Sequence, residues 1–108
     1  MELLPEYLKK DLPPLYSTKD QKEPMAVIKY FTPDANWTWY IIEGEEQENG
    51  DWLFFAYVIG LEKEYGYVLL SELESVKGPL GLSVERDLYF QPIPMSFLAS
   101  WERSLKLA

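Results

Sequence analysis

Between residues 26 and 70 the apolar positions come in short runs typical of β-strands, and the flanking segments show helix-like spacing instead. Ala26–Phe31 is rich in β-branched and aromatic residues and stops at Thr32-Pro33-Asp34, which reads as a strand and its turn. Trp37–Glu43 and Trp52–Leu61 are two further strands. Asn49-Gly50, inside the intervening Gly44–Asp51 segment, is a dipeptide that accepts positive φ and joins strands into a hairpin. The turn Glu62-Lys63-Glu64 leads to a fourth strand, Tyr65–Leu70. Val84–Phe90 has the composition of a fifth, cut off by Pro92 and Pro94.

Helical signals lie outside this block. Pro5 suits a first helical turn, so Pro5–Leu12 is expected to be a short helix stopped by Pro13-Pro14. Leu15 to Pro24 reads as a polar loop or at most one helical turn. Ser71-Glu72-Leu73-Glu74 has the spacing of a capping box, which predicts a helix from Glu72 to about Lys77, ended by Gly78-Pro79. Phe97, Leu98, Trp101 and Leu105 fall on one helical face near the end of the chain. The expected architecture is a single α+β domain over residues 1–108, with a mostly antiparallel sheet of four to five strands and short helices near both termini.

Composition narrows the chemistry more than the fold. The chain has no His and no Cys. Imidazole acid–base catalysis, Cys or Ser–His nucleophiles and zinc sites built on these residues are therefore excluded. The longest apolar run, Trp52 to Ile59, is far below the ~20 residues of a spanning helix. The opening residues also lack a basic, then apolar, leader pattern, so a cytoplasmic protein is expected. Net charge is -8, which argues against direct binding to nucleic acid or to an anionic membrane surface. No cofactor is expected.

Charge is unevenly distributed, and this is the sharpest signal. Residues 30–62 carry Asp34, Glu43, Glu45, Glu46, Glu48, Asp51 and Glu62 with no Lys or Arg, while the segments on either side are nearly balanced. Five of these acids lie between Glu43 and Asp51, at the expected hairpin tip. Like charges at that density are solvated or are met by a cation or a basic partner. The spacing does not follow the EF-hand pattern. The same hairpin holds Trp37, Trp39 and Tyr40; alternation puts Trp37, Trp39 and Ile41 on one face and Thr38, Tyr40 and Ile42 on the other. Aromatic side chains pack cores, and exposed ones anchor partners.

Carboxylates are the remaining acid–base groups, and Asp34 with Glu43 or Glu62 with Asp87 are candidate pairs. Nothing in their spacing selects either. In Glu85-Arg86-Asp87 a strand would place Arg86 opposite the two acids, as a structural ion-pair partner rather than an anion hook. Gly78-Pro79-Leu80-Gly81 lacks the Lys-Ser/Thr that completes a phosphate loop. No catalytic residue or metal ligand is assigned, and the protein is expected not to be an enzyme.

Several segments together resemble one small bacterial family known only as a domain of unknown function. They are Leu12-Pro13-Pro14-Leu15-Tyr16-Ser17-Thr18, Phe31-Thr32-Pro33-Asp34-Ala35-Asn36-Trp37-Thr38-Trp39-Tyr40, Gly66-Tyr67 through Ser71-Glu72-Leu73-Glu74-Ser75, Gly78-Pro79-Leu80-Gly81-Leu82 and Glu85-Arg86-Asp87-Leu88. The resemblance runs over residues 1–94 and departs at Tyr89-Phe90, where many relatives have His-Trp. It implies a setting in bacterial chromosomes, plasmids and phage-like elements, and implies no reaction. The residues point to a non-enzymatic binding or regulatory module that meets a basic protein partner through Asp34, Trp37, Trp39, Tyr40, Glu43, Glu45, Glu46, Glu48 and Asp51. Two alternatives stay open: a small-ligand binder with an aromatic-lined pocket, and a nucleic-acid-mimicking inhibitor of a host defence enzyme.

Overall fold

The sheet grows from one long hairpin. In the computed structural model, which describes residues 1–98, β-strands pair antiparallel wherever they meet. The chain begins with helix α1 (Glu6–Lys9) and strands β1 (Met25–Ala26) and β2 (Ile28–Phe31). The hairpin is β3 (Thr38–Glu46) and β4 (Trp52–Ile59), followed by β5 (Lys63–Leu69) and helix α2 (Leu70–Ser75). Strands β6 (Glu85–Arg86) and β7 (Ile93–Pro94) and a 3-10 turn at Met95–Phe97 complete the described residues. The main sheet has the order β5-β4-β3-β2-β6, and β1 pairs with β7 in a separate two-stranded ribbon.

Both faces of the sheet are covered, which explains why the strands read as almost continuous apolar runs. On the first face Ile28, Tyr30, Trp39, Ile41, Phe54 and Ala56 pack under Leu3, Leu4 and Leu12 from the N-terminal segment and Leu73 from α2. On the second face Ile42, Phe55 and Tyr57 pack with Ala26 and Met95. Fully buried Phe54, Phe55, Ile41 and Ile42 each contribute about 2 kcal/mol or more of burial free energy. Tyr30 enters the core with its hydroxyl satisfied, donating to the Leu3 carbonyl at 2.7 Å. That bond ties the N-terminal segment to the central strands.

The strand register shifts between Ile41 and Glu43, a β-bulge. Ile41 pairs with Ala56 and Glu43 with Phe55, so Ile42 is the extra residue. Ile42 and Phe55 share the second cluster, and the bulge thereby turns Glu43 toward that face together with Ile42. Alternation alone would have sent it to the first.

The four expected strands of the central sheet are present, with Trp37–Glu43 and Trp52–Leu61 adjacent and antiparallel as their turn pair requires. Several boundaries differ for local reasons. β3 continues to Glu46 because Gly44 lies flush against Phe54 and Leu12, which shortens the loop to residues 47–51. The turn after β4 is Gly60–Glu62, closed by the Gly60 amide on the Glu62 carbonyl at 2.9 Å, so Lys63 and Glu64 already belong to β5. Ala26–Phe31 is broken at Val27, whose amide bonds the Ile41 carbonyl while Met25–Ala26 leaves to pair with β7. Val84–Phe90 contributes only Glu85–Arg86, because the Asp87 carboxylate accepts the Tyr89 amide and folds the chain away.

Helix α1 is shorter than expected, whereas α2 keeps its expected length and begins two residues earlier. α1 has four residues and α2 has six, so the domain is mostly antiparallel sheet and the helical half of the α+β expectation shrinks to two short covers. α2 starts before Ser71, and the Ser71–Glu74 capping box does not form. Instead Glu72 reaches back to accept the Leu69 amide at 2.9 Å, and Ser71 is engaged elsewhere. The expected terminal helix, with Trp101 and Leu105, extends beyond the described residues.

Candidate functional site

Glu43 has no exposed surface, yet its carboxylate is fully employed in shaping a neighbouring loop. It accepts the Tyr16 amide at 2.8 Å, the Thr18 amide at 2.9 Å and the Thr18 hydroxyl. Tyr16 is thereby held at φ +68°, a left-handed conformation that side chains with a Cβ rarely adopt. Tyr16 remains 62% exposed, and its ring lies 6.2 Å from the ring of Tyr67 on β5. Tyr67 is 42% exposed and packs at 5.1 Å on Phe55, the residue opposite Glu43. A buried anion, a bulge and a constrained loop thus present two tyrosines side by side on the second face.

One strand repeat further along that face is the hairpin tip. Glu45 pairs with Leu53 and Glu46 with Trp52, and Glu45, Glu46 and Glu48 are all exposed. The loop between them is ordered by its own bonds. The Gln47 amide bonds the Asp51 carbonyl at 2.7 Å, the Gly50 amide bonds the Gln47 carbonyl at 2.9 Å, and Gly50 takes φ +85°. Asp51 fastens the tip to α2: its carboxylate accepts the Ser71 hydroxyl at 2.6 Å, the Ser71 amide at 3.2 Å and the Trp52 amide at 2.8 Å. The Ser71 hydroxyl bond is the main reason the Asp51 carboxyl lies below the usual carboxylate range, with partial desolvation opposing it. Lys9 of α1 stands over the Trp52 ring at 5.7 Å, with its amine held above its ordinary pKa chiefly by Glu6 and also by Glu46. The tip is therefore acidic and rigid, with one base at its first-face margin.

The nine residues expected to share a surface divide into four places. Glu45, Glu46 and Glu48 form the exposed tip, and Asp51 braces it. Glu43 and Trp39 are buried, on the second and first faces respectively. Tyr40 is half-buried, between the Lys29 amine at 5.8 Å and the Phe90 ring at 5.9 Å. Asp34 and Trp37 lie at the other end of β3, about 26 Å from the tip by the rise of a nine-residue strand. There Trp37 stacks on Trp39 at 5.9 Å and covers Gly60. The Asp34 carboxylate accepts the Leu80 amide at 2.6 Å and the Leu82 amide at 3.4 Å, clamping the Gly78–Leu82 loop. Gly78 sits so close to that carboxylate that a Cβ has no room.

Neither carboxylate pair converges. Asp34 and Glu43 are separated along β3, and Glu62 lies in the β4–β5 turn while Asp87 follows β6, the edge strand on the opposite side of the sheet. Arg86 differs from its expected role as an ion-pair partner. Asp87 pairs with Lys29 at 3.7 Å, and among the described residues no carboxylate lies within ion-pair distance of Arg86. The guanidinium instead donates to the Tyr7 hydroxyl at 3.2 Å.

Tyr16 and Tyr67 were not singled out by strand alternation, because Tyr16 lies in a segment read as polar loop and Tyr67 on a strand outside the acidic block. The signal available was the coincidence of Pro13-Pro14, which forces a turn, with a Glu placed directly after the apolar run Trp39–Ile42. A carboxylate at such a position needs backbone donors from somewhere nearby.

Among the described residues no helix is long and apolar enough to cross a membrane. A family described as "protein of unknown function (DUF2958)" matches residues 4–105, and the chain belongs to that family. No curated protein and no solved structure matches it.

Proposed function

We propose that this member of a family of unknown function is a small, non-enzymatic, cytoplasmic binding module that meets a basic protein partner with the β3–β4 tip. Glu45, Glu46 and Glu48 supply charge, and Tyr16 and Tyr67 supply anchors. The observation that carries this reading is the left-handed Tyr16, held by a buried carboxylate so that its ring stands exposed beside Tyr67. Strained backbone is retained where the geometry it enforces has a use, and an exposed aromatic pair next to an acidic tip is suited to recognition. Like-signed carboxylates accelerate encounter with a basic surface, while fixed aromatic rings carry affinity at low entropic cost.

Mimicry of a phosphate backbone is less well supported, since it calls for carboxylates spread along a face and the hairpin concentrates its exposed ones at one turn. The test is titration of isotope-labelled protein with a Lys-rich peptide containing one aromatic residue. Amide shifts are expected at Glu45–Gly50 and around Tyr16 and Tyr67, shrinking as salt is added. Shifts that are spread evenly over all exposed acids, or that persist unchanged in the Glu45→Gln, Glu46→Gln, Glu48→Gln triple variant, would refute the reading.

A further inference from the structure

Arg86 carries a second inference, independent of the hairpin tip. It lies on β6 at the edge of the main sheet and pairs with Tyr30, so its side chain falls on the first face near α1. Its guanidinium stacks over the Tyr7 ring at 5.9 Å and donates one bond, to the Tyr7 hydroxyl. Its Nε is buried and has no acceptor among the described residues. A guanidinium has five donors in a planar fork, and leaving one enclosed and unmet costs free energy unless a further acceptor arrives.

A cleft of about 250 Å³ opens beside it. Tyr7, Leu8, Val27, Leu88 and Phe90 give it an apolar wall, and Asp11 and Asp87 line it as well. Asp87 is already engaged by Lys29, so Arg86 is the one cation lining the cleft whose charge no described carboxylate neutralises. We propose that this cleft binds a small apolar monocarboxylate, its carboxylate on Arg86 and its hydrocarbon body against Leu8, Val27 and Phe90. The Nη1–Tyr7 bond leaves the Nε–Nη2 edge for the ligand, and a carboxylate accepts two parallel bonds from such an edge. The volume is at the lower end for ligand sites and limits the ligand to small molecules. The two aspartates bear on the charge, since they repel a phosphate dianion more strongly than a monoanion.

The test uses benzoate, its neutral isostere benzamide and inorganic phosphate as probes on labelled full-length protein. Benzoate is expected to give saturable shifts at the Arg86 Nε–H and at the Val27 and Leu88 amides. Benzamide should bind about tenfold more weakly, because it loses the charge-assisted pair. Phosphate should shift none of these signals saturably. Arg86→Lys keeps the charge and the strand but not the fork, and should weaken benzoate without changing the amide spectrum elsewhere. Equal shifts with benzoate and benzamide, saturable phosphate binding, or benzoate affinity unaffected by Arg86→Lys would each overturn the proposal.

Discussion

The Glu43 carboxylate accepts the backbone amide of Tyr16, 27 positions earlier, at 2.8 Å, and Tyr16 is a non-glycine residue in the described chain with positive φ. A left-handed residue with a side chain costs about 1–2 kcal/mol. Each hydrogen bond to an ionised group contributes about 1.5–3 kcal/mol, so the bonds from the Tyr16 and Thr18 amides outweigh the strain. The conformation is held by charge rather than by local preference.

Removing that charge should therefore be expensive. Glu43→Ala removes the buried acceptor shared by the Tyr16 and Thr18 amides and the Thr18 hydroxyl and should destabilise the protein by about 3 kcal/mol or more. Tyr16→Gly should act in the opposite direction, relieving strain and leaving stability unchanged or raised by about 1 kcal/mol. Urea denaturation of both variants checks the pair. A Tyr16→Gly variant much less stable than the parent would show that the ring, not the backbone, matters most to the fold.

Gly78 and Asp34 should behave as one unit. Gly78→Ala drives a methyl group into the Asp34 carboxylate and should cost about 2 kcal/mol, as overpacking does. Asp34→Ala forfeits the bonds to Leu80 and Leu82 but makes room. The double variant should then be more stable than the sum of the single losses predicts, by about 1 kcal/mol or more in a denaturation cycle. Strict additivity would mean that the cost of Gly78→Ala does not come from the Asp34 carboxylate.

Acid should loosen the brace of the tip before the core. The folded Asp51 carboxyl has a depressed pKa, caused first by the Ser71 hydroxyl. Its contribution is present above the ordinary carboxylate pKa, near 3.8, and is lost as pH falls through the lower folded value. Ser71→Ala should move the Asp51 titration back up toward 3.8, which carboxyl-detected NMR measures directly. An unmoved titration would place the cause of the depression elsewhere.

The central hairpin was legible in advance because Asn49-Gly50 and the two aromatic strands agree at every level, from turn preference to burial. The covering of both faces was also legible, in Trp39 and Ile41 on one side and Tyr40 and Ile42 on the other. What escaped were bonds between segments distant in sequence. Glu43 looked like the first residue of an acidic tip, and only the bulge at Ile42 reveals that it faces inward toward Thr18. Ser71 reads as the cap of a helix, but its hydroxyl is taken by Asp51, 20 residues away, and Glu72 accepts the Leu69 amide instead. Arg86 was assigned to an ion pair by proximity to two acids in sequence, whereas the β2–β6 pairing hands Asp87 to Lys29.

Affinity capture from native lysate, with wild type beside the Glu45→Gln, Glu46→Gln, Glu48→Gln variant, tests the proposed binding role most directly. These three side chains are exposed, and their replacement should leave the unfolding free energy within about 0.5 kcal/mol of wild type. The account predicts that wild type retains one or a few basic proteins at low salt, that the triple variant loses them, and that Tyr16→Gly weakens them while remaining folded. Recovery of the same proteins in equal yield by wild type and triple variant would contradict it.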